Sequence, residues 1–140
     1  MNHRIYRISI LAVMLCFWSV IARGGEYHSG VTSTEILKTT TTSIGQPIAY
    51  PANGTPQVTA SVVEIPSGGE TGWHSHTTPL YAWMVAGSLT VEYEGGRKIT
   101  FHDGEPIIEA LNTSHNGRNN GSTPARLLVF NLGTRNVPPK

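Results

Sequence analysis

Short runs of alternating apolar and polar residues dominate the chain beyond residue 24, and clusters of glycine, proline and asparagine separate them. Side chains of a β-strand point alternately to its two faces, so runs rich in Val, Ile, Thr, Tyr and Phe predict strands. The 3.6-residue period of an amphipathic helix is absent, and the pattern therefore predicts an all-β fold. The predicted strands are Thr34–Thr41, Gln57–Ile65, Tyr81–Ala86, Leu89–Glu94, Arg97–Phe101, Glu105–Glu109 and Ala125–Leu132.

Turn-forming pairs divide these strands at regular intervals, which is typical of a sandwich or a barrel in a single domain. The predicted turns are Gly95-Gly96, as a two-residue hairpin, and Gly87-Ser88, Asp103-Gly104 and Asn120-Gly121. Pro51 and Pro56 bracket a further loop. The segment before this loop is predicted to be an extra edge strand or a dimer arm. A homodimer is expected because a free strand edge readily pairs with its copy.

The first 24 residues have a different pattern. Arg4 and Arg7 precede a largely apolar run from Ile8 to Ala22, which is typical of a secretory signal peptide. We predict that residues 1–24 are this leader, with cleavage after Ala22 or Gly24, and that the protein is periplasmic or secreted. The run is shorter than the roughly 20 residues that span a bilayer, so no stable membrane insertion is expected after cleavage. An uncleaved membrane anchor is the alternative.

Removal of the leader changes the charge of the chain. The 140 residues have a formal net charge of +1, but a cut after Gly24 removes three arginines and leaves seven basic and nine acidic residues in 116. This balance offers no basic patch, so nucleic acid is not an expected partner. The single cysteine, Cys16, also leaves with the leader. The remaining domain, residues 25–140, must therefore be stabilised by its apolar core without a disulfide.

Three histidines carry the clearest chemical signal. His74 and His76 are two residues apart, a spacing that places both side chains on one face of a strand. His115, far downstream, would complete a triad if another strand brought it across. Neutral imidazole is a ligand for zinc, copper, iron and nickel. These three residues are the predicted metal ligands.

Two motifs surround these histidines. Residues 68–87 match G-x5-H-x-H-x3,4-E-x6-G at four positions, namely Gly68, His74, His76 and Gly87. Residues 104–119 match G-x5-P-x-G-x2-H-x3-N at Gly104, His115 and Asn119, with Ala110 and Asn112 in place of Pro and Gly. The 16 residues of Ser88–Asp103 between them read as a hairpin. In these features the chain resembles the cupin superfamily.

The resemblance implies a double-stranded β-helix, or jelly-roll, barrel that holds one divalent metal ion near one mouth. The ion would be Fe, Zn, Cu, Ni or Mn, and its ligands would be His74, His76 and His115. The glutamate that the first motif contributes in the family is absent, because Leu80 or Tyr81 stands at its position. The resemblance thus points to a three-histidine site with open coordination positions for a ligand.

Four other residues are candidates for function. Glu109 could replace the missing ligand, act as a general base or orient a ligand, and an exposed strand carboxylate is the alternative. Tyr81 is a second candidate catalytic residue. Trp73 and Arg118 are candidates for substrate binding. The alternatives are that Trp73 packs in the barrel and that Arg118 is a solvated side chain in a turn. The chain has no phosphate-binding glycine loop and no nucleophilic-serine motif.

These observations lead to three functional hypotheses. The first is a small metalloenzyme acting on a small molecule, with oxygenase chemistry first and isomerase or lyase chemistry next. The second is a non-catalytic module that binds a small ligand or a metal. The third is a structural barrel with a vestigial pocket. Fold resemblance alone does not decide among them, because one fold supports many reactions.

Overall fold

The computed structural model describes residues 30–135, which lie in two units of the chain, Met1–Thr34 and Glu35–Lys140. Residues 30–34 are exposed and contain no strand. The predicted signal peptide, residues 1–24, lies outside the described residues. Within residues 30–135, no helix has the length and apolar character needed to cross a membrane.

The second unit contains seven strands in two antiparallel sheets. One sheet has four strands in the order β1-β7-β2-β5, and the other has three in the order β4-β3-β6. The all-β prediction is confirmed. The strands are β1 (Pro56–Ile65), β2 (Leu80–Ala86), β3 (Ser88–Tyr93), β4 (Lys98–His102), β5 (Pro106–Ile108), β6 (His115–Arg118) and β7 (Ala125–Thr134).

Alternation of side chains builds the interior. In β3, Leu89, Val91 and Tyr93 are buried, while the residues between them are partly exposed. The β3–β4 hairpin closes at Gly95 and Gly96, whose φ angles of 85° and 86° are positive and favour glycine. Other buried core residues come from β2, β4, β5 and β7, and they include Ala82, Met84, Phe101, Ile107, Ala125 and Leu127.

One predicted strand was wrong, and one strand of the structure was not predicted. The segment Thr34–Thr41 forms no strand; only Thr41 makes an isolated bridge, to Pro47, and residues 34–40 are exposed. Its threonines favour strand conformation, but no neighbouring strand pairs with them. Conversely, β6 was missed because His-Asn-Gly-Arg has weak intrinsic strand preference. Pairing of β6 with β3 holds it in the sheet.

Close packing against the start of β7 explains one motif glycine. Gly87, between β2 and β3, has a φ of 83°, and a Cβ added there would lie 2.8 Å from the carbonyl oxygen of Pro124. Any other residue would combine an unfavourable backbone angle with a steric clash. The motif glycine is therefore needed for β2 and β3 to turn directly from one sheet into the other.

Asn119, another motif residue, supports the backbone. Its side chain is fully buried, donates to the carbonyl oxygens of Ile65 and Thr123 at 2.9 and 2.8 Å, and accepts from Gly121 N at 2.9 Å. These three bonds satisfy backbone groups that irregular chain would otherwise leave unpaired. Asn119 thus joins the end of β1 to the loop before β7.

Candidate metal centre

The three predicted ligands come together through backbone pairing between the two motifs. His74 and His115 form an antiparallel bridge in which each N–H donates to the carbonyl of the other, at 2.9 and 2.8 Å. His76 lies in a parallel bridge with Leu111, and Asn112 N donates to its carbonyl at 2.7 Å. His74 and His76 therefore sit in isolated bridges, not in the regular strand that their spacing suggested.

The imidazole rings form one cluster. The ring centroids are 4.9 Å apart for His74 and His76, 4.6 Å for His74 and His115, and 5.1 Å for His76 and His115. One ring nitrogen from each residue lies within 4.8 Å of the others. All three side chains line a cavity of about 160 Å³ between the sheets.

Hydrogen bonds select the tautomer of two of these rings. Nδ1 of His74 lies 2.8 Å from the carbonyl oxygen of Gly72, and Nδ1 of His115 lies 2.8 Å from that of Thr113. Because a carbonyl oxygen only accepts, Nδ1 must donate in both pairs, and in the neutral imidazole the lone pair is then on Nε2. This is the arrangement that metal-binding histidines commonly adopt, with the second nitrogen held by a backbone acceptor.

The donor set fits a divalent metal. His115 Nε2 is buried and has no hydrogen-bond partner among residues 30–135, and burial lowers the pKa of His115, against the opposing effect of the Thr113 bond. The ring therefore favours the neutral form that binds metals. With bonds of about 2.0–2.1 Å, two imidazole nitrogens on one tetrahedral zinc ion lie roughly 3.3–3.4 Å apart. The rings must therefore move closer together by up to about an ångström when an ion binds.

Glu109 lies in the same cavity. Its side chain is buried, which excludes the exposed-carboxylate interpretation, and its Oε2 is 3.3 Å from His115 Nε2. The two atoms are not aligned as a hydrogen bond. Burial raises the pKa of Glu109 to about 7, and the nearby His74 partly opposes this rise. Glu109 is the only Asp or Glu among the described residues that line this cavity.

The other predicted functional residues lie elsewhere. Tyr81 is absent from the cavity lining, and its hydroxyl donates to the hydroxyl of Tyr50 at 3.0 Å. Burial, and to a lesser extent the bond to Tyr50, raises the pKa of Tyr81 to about 12. Trp73 and Arg118 line a separate surface groove, where Arg118 forms an ion pair with Glu70. The structure brings Glu109 to the histidines and leaves these three candidates outside.

The irregular segment before His115 tolerates a departure from the motif. Asn112, which replaces the motif glycine, has a φ of 51°. Asparagine is among the non-glycine residues that most readily adopt this left-handed conformation. The substitution therefore preserves the turn that directs the chain from β5 to His115.

Sequence reasoning missed two residues that support the site. Gln46 accepts from Leu111 N at 3.0 Å and donates to Leu111 O at 3.1 Å and to Thr113 Oγ1 at 2.8 Å. The segment it holds lies beside His76 and His115, but 65 residues separate Gln46 from Leu111, so no local pattern could have shown the contact. Tyr93 is buried behind His115, with ring centroids 5.8 Å apart; the sequence placed it in a predicted strand without indicating this contact.

Comparison with known families agrees with this architecture. The family model described as the cupin domain matches residues 61–131, just over half of the chain, and this span includes all three histidines and Glu109. The chain belongs to the cupin family. None of the curated proteins compared with this cupin matches its sequence significantly.

Solved structures share the fold at low sequence identity. A Bacillus halodurans protein is 18% identical, with a TM-score of 0.52 over 59% of this cupin and 67% of that chain. The cupin domain of Schizosaccharomyces pombe Cnp3 is also 18% identical, with a TM-score of 0.52, and the match covers 62% of this cupin and 64% of that chain. A sugar phosphate isomerase from Silicibacter pomeroyi is 20% identical, with a TM-score of 0.50 over 56% and 52%. This cupin thus spans about half to two thirds of these chains, and they support the fold alone.

Replacement of Gln46 by alanine should destabilise the fold around the histidines. Gln46→Ala removes three hydrogen bonds to Leu111 and Thr113 and leaves part-buried backbone groups unpaired. We expect a loss of about 1–3 kcal/mol in the free energy of unfolding, measured by urea denaturation. The control is Gln57→Ala on the exposed face of β1. Equal stability of the two variants would contradict the supporting role.

Proposed function

We propose that this cupin is an exported protein that binds one divalent metal ion through His74, His76 and His115 and acts on a small molecule in the adjoining cavity. The observation that carries the proposal is the convergence of three imidazoles on that cavity, with two Nδ1 atoms held by carbonyl oxygens. When bound, the metal would supply Lewis-acid or redox chemistry. Oxygenase activity is the leading proposal, followed by isomerase or lyase activity.

The cavity lining indicates the kind of molecule. Apart from the histidines and Glu109, most of the residues that face it are aliphatic, and they include Ile65, Leu80, Leu89, Val91, Leu127 and Val129. No Lys or Arg belongs to the described lining. A phosphate group would therefore find no cationic side chain, although a sugar phosphate isomerase is among the proteins with this fold. We propose a small substrate with an apolar body and one or two oxygen atoms that reach the histidines.

The residues of the chain would perform three tasks in this reaction. The histidines would hold the metal, with Gly72 and Thr113 fixing the orientation of two rings. The aliphatic walls would orient the apolar part of the substrate and exclude water from the polar end. Glu109 would supply a carboxylate beside the histidines, where the polar end of the substrate binds.

A non-catalytic binding module is the second candidate. The observation that favours it is the position of Tyr81 outside the cavity, bonded to Tyr50. Glu109 is then the one carboxylate of the described lining, and a reaction that needs a second proton-transfer side chain would find none there. A panel of small oxygenated metabolites, tested for both retention and conversion, would separate the two candidates.

Metal analysis tests the central claim. Protein purified without an affinity tag and reconstituted with divalent metals should contain about one ion per chain, measured by inductively coupled plasma mass spectrometry. His115→Ala should lose most of this metal, because a ligand is removed. The control is His102→Ala, since His102 is exposed on β4. A metal-free wild type after reconstitution would overturn both the enzyme and the metal-binding module.

We also propose that the protein forms a homodimer through the outer face of β1 and β7. Val58 and Val62 are 61% and 66% exposed, and Phe130 on β7 is 38% exposed. Phe130 lies opposite Ala60 in the register, so all three side chains share one face of the sheet. The ten residues of β1 also form a sheet edge. A second copy is the occupant that fits, because two-fold packing of these outer faces against each other would cover the apolar side chains on both copies.

The oligomeric state tests this interface. Size-exclusion chromatography with light scattering should give twice the chain mass for the wild type. Val62→Lys should yield monomers, because it places a charge in the centre of the apolar face. His102→Lys introduces the same charge on β4 of the other sheet and should remain dimeric. A monomeric wild type, or a dimeric Val62→Lys variant, would contradict the proposal.

Export predicts a processed N-terminus. The protein recovered from its host should begin near Arg23 or Gly25, because the leader ends at Ala22 or Gly24. N-terminal sequencing of the periplasmic or secreted fraction measures this directly. An intact Met1 on a membrane-bound form would instead show an uncleaved anchor.

A further inference from the structure

The cavity contains a carboxylate, although the first histidine motif lacks one. The motif places a glutamate at the position of Leu80, whose side chain lines the cavity. Tyr81, the other residue allowed by the spacing, is absent from the lining. The carboxylate that does line the cavity belongs to Glu109, directly after β5.

Leu80 and Glu109 face each other across two neighbouring strands. The register pairs Ala82 with Ile107 and Tyr81 with Ile108, so the next pair is Leu80 with Glu109. Glu109 N donates to Leu80 O at 3.0 Å, which confirms that the pairing continues to this point. Directly opposite residues project from the same face, with Cβ atoms about 4.5–5.5 Å apart. A side chain at either position can therefore reach the same part of the cavity.

One side-chain atom of Glu109 and one of His115 face each other without a hydrogen bond. Glu109 Oε2 and His115 Nε2 are 3.3 Å apart, and both are buried without a hydrogen-bond partner among residues 30–135. His115 donates through Nδ1 to Thr113, so Nε2 has a lone pair and no proton. When the carboxyl is ionised, its oxygen and this nitrogen are two acceptors that repel each other unless a proton or a metal ion lies between them. A metal ion would satisfy both atoms at once.

We propose that Glu109 is the fourth protein ligand of the metal, and that the carboxylate expected at position 80 has been exchanged across the strand pair to position 109. This inference rests on the proposed metal site. The resulting site has three neutral imidazoles and one carboxylate, so a bound divalent ion keeps a net charge of +1 instead of +2. General-base and orienting roles for Glu109 are the competing interpretations, and the test below distinguishes them from ligation.

Cobalt binding to the metal-free protein provides the test. Co²⁺ is titrated into the wild type, Glu109→Gln and the interchange variant Leu80→Glu/Glu109→Leu, and both the dissociation constant and the visible absorption spectrum are recorded. Glu109→Gln keeps the side-chain shape but removes the charge, and it should weaken binding by more than about 100-fold, beyond the loss that an orienting group produces. The interchange variant should regain most of the affinity and a spectrum close to that of the wild type.

Controls and contrary outcomes separate this inference from the metal site itself. Glu94→Gln, at an exposed residue, should bind Co²⁺ like the wild type, and circular dichroism checks that each variant is folded. Wild-type affinity and an unchanged spectrum in Glu109→Gln would overturn ligation by Glu109 while leaving the three-histidine site intact. A folded interchange variant that binds as weakly as Glu109→Gln would overturn the exchange. Absence of Co²⁺ binding by the wild type would refute the metal site, and this inference with it.

Discussion

Two backbone hydrogen bonds between His74 and His115 join the segments that contain the first and second histidine motifs. The bridge fixes both Cα positions within one antiparallel pair, and the two imidazoles consequently lie side by side. His76 joins the same cluster through its bridge to Leu111. Backbone pairing therefore places the three residues, and the Nδ1 bonds to carbonyl oxygens orient the rings of His74 and His115. This matters for metal binding because ligands must be held near their final positions before the ion arrives.

The cavity places a few polar groups among mostly aliphatic side chains. An unpaired polar atom in such surroundings costs free energy, and each of the Nδ1 atoms of His74 and His115 is satisfied by a carbonyl oxygen. Glu109 Oε2 and His115 Nε2 are not satisfied by other residues of the described chain. Natural folds retain such atoms where function requires them. The pattern of satisfied and unsatisfied atoms thus separates the scaffold from the reactive part of the site.

A segment outside the histidine motifs supports the centre. Residues 42–46 pack against the chain on both sides of Glu109. Ser43 exchanges hydrogen bonds with Ile108, and the Gln46 side chain is hydrogen-bonded to the backbone of Leu111. The family model begins only at residue 61, so these contacts belong to the part of the chain before it. They hold the irregular stretch between β5 and β6, where regular sheet bonding is absent and the backbone groups need other partners.

Local patterns in the sequence were sufficient for several conclusions. Alternation with a period of two determined the all-β class, paired turn residues located the β3–β4 hairpin, and the spacing of His74, His76 and His115 within two motifs pointed to one metal centre. These features depend on neighbours along the chain, which the sequence displays directly. The signal for β6 was too weak, because its strand conformation comes from β3 and not from its own residues. Tertiary structure alone decided that Glu109 lies opposite Leu80, that Tyr81 points away and that Gln46 supports the centre. Each of these depends on strand register or on a contact across 29 to 65 residues, and a one-residue change in register would turn the same side chains to the opposite face.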